Sequence, residues 1–308
     1  MAICKCDVGL GNTGTPNCAP IASVLRKIVL VPTYDSTGAK NSIDLTATLD
    51  AAYLTARIND TDSTKRWFPL PDFENVTSER AESTFEEAPS GTRAFVRQGS
   101  RTLTGEIWGK EALPTLIGKI KEARCVSVSA FIIDGDGKVI GSGDAKSPDI
   151  LYPVQLDAQS IDAIWMAATD GTTQKINVTF TFSDSEKDED IHLIQPDVDF
   201  TFDALASKGL LDICVAYSSI STTGFEAVLF NEYGLRKSLK DVGLVIGDFS
   251  LYNDTTAASV TITSVAESPD GTYTFVIPAQ TSADSMTLTP SKDGRDYADV
   301  VATAIVIP

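Results

Sequence analysis

One histidine, His192, stands in 308 residues, and that scarcity removes most nucleophilic chemistry at the outset. A serine or cysteine nucleophile needs a base within hydrogen-bond reach, and neither a GxSxG elbow nor an HExxH pair accompanies this imidazole. Two residues past the acidic run Asp188-Glu189-Asp190, His192 reads as a loop residue. Cysteine is sparse too. Cys4, Cys6, Cys18, Cys125 and Cys214 are an odd set that makes no disulfide scaffold, so reduced thiols are expected. Cys4-x-Cys6 with Cys18 lacks the paired CxxC spacing of structural zinc, and no metal or other cofactor is expected. The nucleotide signatures GxGxxG and GxxxxGK[ST] are missing.

No apolar run reaches the roughly 18 residues that cross a bilayer. The N-terminal MAICKCDVGLGNTG has no basic stretch followed by an apolar one, so a soluble chain with no membrane partner and no cleaved signal is expected. Cations are also in deficit, 25 Lys and Arg against 42 Asp and Glu, for a net charge of -17. A surface so acidic repels phosphate backbones and excludes specific nucleic-acid binding.

What the chain has is enough apolar residue, 43%, for one large core or two ordinary ones. Residues 1–22, rich in Gly, Asn, Thr and Pro, read as an N-terminal arm. A strand follows at Lys27 to Pro32. Thr92 to Trp108 gives two short alternating strands around Gly99. Between Lys110 and Ala123 the period changes, with Leu113, Leu116, Ile117 and Ile120 on one helical face and Pro114 in the first turn. Val126–Ile133 and Val139–Gly143 read as strands joined by Asp134-Gly135-Asp136-Gly137, a hairpin turn in preference to a calcium loop. Lys175–Ser183 alternates, with Ile176, Val178, Phe180 and Phe182 on one side. Pro196 marks a domain boundary. Residues 197–240 mix helix and strand signals, and from Val242 onward short strands separated by turns suggest a small β-sandwich.

PLPDFENVTSERAESTFEEAPSG, Pro69 to Gly91, carries five glutamates in fourteen residues, Glu74 to Glu87. A glycosidase pair needs a rigid scaffold and one carboxyl raised by burial, whereas this stretch is polar throughout and interleaved with arginine. It reads as a long loop facing a partner or solvent, its ends barred from helix or central strand by Pro69, Pro71 and Pro89. Phe68, Phe73 and Phe85 could anchor it in a neighbour. Glu79, Glu82, Glu86 and Glu87 could pair with Arg93, Arg97 and Arg101 of an adjoining subunit, setting register. Asp184, Glu186, Asp188, Glu189 and Asp190 form a second acidic loop.

Three stretches, RWFPLPDFENVTSERAESTFEEAPSGTRAFVRQGSRTLTGEIWGK (Arg66 to Lys110), SAFIIDGDGKVIGS and TDGTTQKINVTFTFSDSEKDEDIHLI (Thr169 to Ile194), resemble in order and texture the major tail tube proteins of long-tailed bacteriophages. The resemblance spans about residues 20–196. It implies a mainly β domain, a barrel or sandwich with a flanking helix over residues 23–196, whose hexameric rings stack into a tube. Partners implied are further copies of the chain and the tape-measure, terminator and distal tail proteins, with DNA passing through an acidic lumen without specific binding. The contact residues above would then join subunits, and the acidic loop Asp184–Asp190 would face the lumen or the next ring. GDFSLYND and SPDGTYTFVIP resemble an immunoglobulin-like module within residues 197–308, at least from about 242. A non-enzymatic virion protein is the expectation. A head, decoration or tail-terminator protein shares the composition, while a carbohydrate-active β-sandwich or a surface adhesin is a more distant alternative.

Overall fold

The structure, a computed structural model, describes residues 21–144, 146–231, 240–292, 295–299 and 304–308. The N-terminal arm, with Cys4, Cys6 and Cys18, lies largely outside them. Strands dominate, mostly in antiparallel sheets, as expected. Two compact units divide between Gly209 and Leu210, not at Pro196.

In the first unit the strands are β1 (Leu25–Pro32), β2 (Ile43–Asp44), β3 (Phe68–Pro69), β4 (Glu74–Arg80), β5 (Thr84–Glu87), β6 (Arg93–Arg97), β7 (Arg101–Trp108), β8 (Val128–Asp134), β9 (Val139–Asp144), β10 (Ser147–Tyr152), β11 (Val154–Gln155), β12 (Asp162–Met166), β13 (Lys175–Thr181) and β14 (Ile191–Ile194). Helix α1 (Ala51–Ile58) precedes β3, and α2 (Pro114–Glu122) follows β7. One sheet runs β2-β10-β9-β8-β1-β3, with β11 also on β8 and β14 also on β9; a second runs β12-β13-β7-β4; β5 and β6 form a ribbon of their own.

Local sequence explains most of this. Every residue of β8 is buried, as are Ile28 to Val31 of β1, so these central strands are covered on both faces and carry the apolar runs Ala130–Ile133 and Ile28–Val31. β13 instead alternates residue by residue, Ile176, Val178 and Phe180 inward and the polar partners outward. The β8–β9 turn is held by the buried Asp134, whose Oδ1 accepts from the backbone N–H of Asp136 at 3.0 Å and Lys138 at 2.9 Å, with Gly137 at φ 80°. The expected helix is shorter than 110–123 because 3-10 turns occupy 109–111 and 123–125; Leu116 and Ile120 are its buried residues. Helix α1 was not legible as an apolar stripe. It begins where Asp50 caps the N–H of Tyr53 at 2.9 Å.

The boundary falls later than Pro196 because the following residues pack on the first unit. Phe202 stacks on Tyr53 of α1 at 6.4 Å and on Phe200 at 4.4 Å. The buried Lys27 ammonium donates to the carbonyls of Leu205 (2.6 Å) and Ser207 (2.8 Å). His192 lies on β14, not in a loop. Its ring fills the space over Gly143, where a Cβ would stand 2.1 Å from the imidazole.

The second unit comprises β15 (Leu211–Ser221), β16 (Gly224–Asn231), β17 (Phe249–Asn253), β18 (Ala258–Val260), β19 (Ser264–Glu267), β20 (Tyr273–Val276), β21 (Ser285–Lys292), β22 (Arg295–Asp299) and β23 (Ile305–Val306). The order is β18-β17-β21-β22-β15-β16-β20-β19, with β23 also on β21 and β15 parallel to β22. The mixed signals after 197 resolve, over the described residues, as the hairpin β15–β16, because Ile213, Val215, Phe225, Ala227 and Leu229 alternate into a core. In that core Phe225 stacks on Phe275 at 4.7 Å, and Phe249 meets Phe275 edge-on at 5.0 Å.

Candidate assembly surface

The glutamate-rich stretch is not a loop. Apart from its entry at Pro69–Phe73 it is the outgoing half of a long β-hairpin. β4 lies on β7 in antiparallel register, Thr77 opposite Thr104 and Arg80 opposite Arg101. Beyond them β5 lies on β6, with Phe85 opposite Phe95 and Glu87 opposite Arg93, and the chain reverses at Pro89-Ser90-Gly91 with Gly91 at φ 79°. The prolines fit because they sit outside the β4–β7 and β5–β6 ladders.

The hairpin is welded to the body at its root. Phe73 is buried against Phe180 (6.4 Å, edge-on) beneath Gly105, where a Cβ would stand 2.6 Å from the Phe73 ring. A bulge at Glu74/Thr77 puts Asn75 at φ 50° and lets its amide donate to Glu106 at 2.8 Å. Trp108 Nε1 donates to the same Oε2 at 2.8 Å, and Lys175 pairs with Oε1 at 2.5 Å. Partial burial pushes the Glu106 carboxyl up, but the hydrogen bonds from Lys175, Asn75 and Trp108 outweigh it and hold the group below the usual carboxylate range.

Past Arg80 and Arg101 the hairpin leaves the body. Every residue from Thr84 to Arg97 is exposed on both faces of the ribbon. Among the described residues no hydrogen bond or ion pair joins 84–97 to the rest of the chain. The rings of Phe85 and Phe95 meet edge-on at 5.9 Å while staying 55% and 61% exposed, and Val96 is 54% exposed. An isolated two-stranded ribbon is marginal in water, so this arm is an element that a second surface would complete.

Several expected roles change. Phe73 is core, not a contact. Phe68, on β3, remains 40% exposed. Arg93 pairs with Glu87 of its own ribbon at 3.1 Å because the register sets them opposite each other. Arg101 is taken by Asp188 of the same chain at 2.6 Å. Of the three arginines only Arg97 is left unpaired among the described residues, alongside Glu79, Glu82 and Glu86. In the second acidic segment Glu186 is buried and accepts from the N–H of Gln155 at 3.0 Å, so it fixes the fold and faces no lumen. Asp188 is engaged by arginines, Asp184 and Glu189 are exposed, and Asp190 is half-buried. Arg80 was missed as a site residue, and only its place opposite Arg101 in the ladder gives it away.

A second exposed apolar group lies on the same sheet, at Trp108, Ile164, Trp165 and Met166. Among the described residues no group of three or more His, Cys, Asp or Glu could hold a metal ion, and no helix is long and apolar enough to cross a membrane. No protein-family model matches the chain, and no curated protein matches it either.

Proposed function

We propose that the protein is a structural virion protein, a subunit of a bacteriophage tail tube that self-assembles into stacked rings through its β-hairpin arm. The observation that carries this reading is the arm itself: a ribbon over Thr84–Arg97 with an exposed Phe85–Phe95 pair, charges at Glu86 and Arg97 without a partner among the described residues, and none of those residues beneath it to lie on. Such a ribbon gains its buried face from another subunit. The strong negative charge supports the same reading, because an acidic conduit lets DNA pass without sticking. The second unit, with its strands around a core of Phe225, Phe249 and Phe275, suits an immunoglobulin-like module carried by the tube.

Negative-stain microscopy of the purified protein tests the proposal, with tubes or stacked rings expected and a monodisperse monomer at high concentration overturning it. Glu86→Lys with Glu87→Lys is expected to leave the monomer folded and stop tube growth. The Glu87–Arg93 pair is exposed and contributes little to the monomer, so a loss of tubes from that variant would report on docking.

A further inference from the structure

At the base of the arm two like charges face each other across the ladder, Arg80 closing β4 and Arg101 opening β7. Such a pair is destabilising on its own. One carboxylate offsets both. Arg80 Nη2 donates to Asp188 Oδ1 at 3.0 Å, its Nε lies 3.0 Å from Oδ2 as an ion-pair contact without hydrogen-bond alignment, and Arg101 Nη1 donates to Oδ1 at 2.6 Å. Two charge-assisted hydrogen bonds, one from each strand, converge on the same Asp188 oxygen. Asp188 belongs to the segment before β14, so this contact ties the arm's root to the body of the unit.

Immediately beyond it the pairing changes character. The β4–β7 ladder ends at Arg80/Arg101 and the ribbon begins at Thr84/Arg97. Between them one backbone bond, Ala81 N–H to the Ser100 carbonyl at 2.9 Å, spans the two strands. Arg80 Nη1 also donates to the Gly99 carbonyl at 2.9 Å, so the same guanidinium holds both the latching carboxylate and the opposite strand. Gly99 leans on the facing backbone, where a Cβ would stand 1.9 Å from the Ala81 oxygen.

We propose that the stretches 81–83 and 98–100 form a hinge and that Asp188 is its latch, presetting the direction in which the arm leaves the subunit. This rests on reading the arm as the docking element. A preset arm loses less freedom on docking than a swinging one, so the latch favours assembly without touching the partner. The side chains of Arg80, Arg101 and Asp188 are 19%, 30% and 48% exposed, so salt screens the contact and loosens the arm.

Amide hydrogen exchange on the full chain tests this. Asp188→Asn should speed exchange at Ala81 and its neighbours in 80–83 and 98–101 by about tenfold or more while β8 and β13 keep their protection, the signature of a local opening. Raising sodium chloride from about 0.05 to about 0.5 M should move the unaltered protein the same way and leave Asp188→Asn unmoved. Asp188→Glu, which keeps the charge, should restore protection at least in part. Unchanged exchange at Ala81 in Asp188→Asn would overturn the latch, and so would an equal loss of protection across β8 and β13, which would make Asp188 a general support. Tube formation is scored separately: a loosened hinge with normal tubes would sink the docking role of the arm and leave the latch standing.

Discussion

Truncating the two exposed rings of the arm should separate assembly from stability. Phe85 and Phe95 are 55% and 61% exposed. A phenylalanine presents about 150–250 Å², so roughly 110–120 Å² of each ring faces water in the lone subunit. At about 25 cal/mol per Å², covering that area is worth up to about 3 kcal/mol per ring. An alanine still buries part of it, which leaves a loss of about 2 kcal/mol for each substitution, or about thirtyfold in a docking constant. The rings touch at 5.9 Å, so the double variant will not be the simple product. In the monomer only the exposed edge-on contact goes, about 0.5–1.5 kcal/mol confined to the ribbon. Phe85→Ala with Phe95→Ala should therefore raise the critical concentration for tubes, measured by sedimentation and micrographs, by about a hundredfold or more, while the melting curve of the subunit barely shifts. Phe180→Ala, a core deletion on β13 costing about 3–5 kcal/mol, provides the contrast. A double arm variant that assembles at the original concentration, or that melts like Phe180→Ala, would refute the reasoning.

Three further outcomes follow from single residues. Glu106 has a folded-state pKa below its unfolded value, so its stabilisation is present above the ordinary glutamate range near pH 4.3 and is lost as pH falls through the depressed folded value; urea midpoints of the unaltered protein and Glu106→Gln should converge between about pH 4 and the acid limit, and a gap that persists there would contradict the shift. Tyr273 is buried, its hydroxyl donating to the Asp241 carbonyl and accepting from the Leu244 N–H, both at 3.2 Å; Tyr273→Phe strands that N–H and should cost about 1–2 kcal/mol, read as faster exchange in β20 with the first unit unaffected. Gly99→Ala drives a methyl into the Ala81 carbonyl and should loosen the hairpin above Arg80, so proteolysis confined to 81–100 is expected, and a ribbon as resistant as before would count against the tight crossing.

The buried faces of β13, β1 and β8 were legible in the sequence, whereas β15 and β16, with an equally buried face, lie in a stretch of mixed signals. β13 alternates because Ile176, Val178 and Phe180 face the core, and β1 and β8 run apolar because both their faces are covered. Short elements left weaker traces. Helix α1 has eight residues and one that is buried, Ile58, so its apolar stripe is nearly absent and its signal is the cap at Asp50. β2, β3 and β11 have two residues each, too few to show any period. His192 looked like a loop residue because its acidic neighbours are polar; Gly143, far back along the chain on β9, is what admits its ring.

The outgoing half of the arm, up to Gly91, has the sequence of a loop for a reason that bears on its role. β4 shows no buried residue and β5 is exposed throughout, so no face of them selects apolar side chains and no period of two is written into Glu74 to Glu87, whereas β6 is legible in the alternation of Thr92 to Arg97. Pairing there rests on backbone hydrogen bonds, the turn at Gly91 and cross-strand pairs such as Phe85–Phe95 and Glu87–Arg93. A strand whose partner is another molecule is written in this way, because the burial that would imprint a pattern is supplied only on assembly. On the proposed docking reading, the exposed aromatic pair, with Val96 beside it, is the remnant of such a pattern on an otherwise polar ribbon.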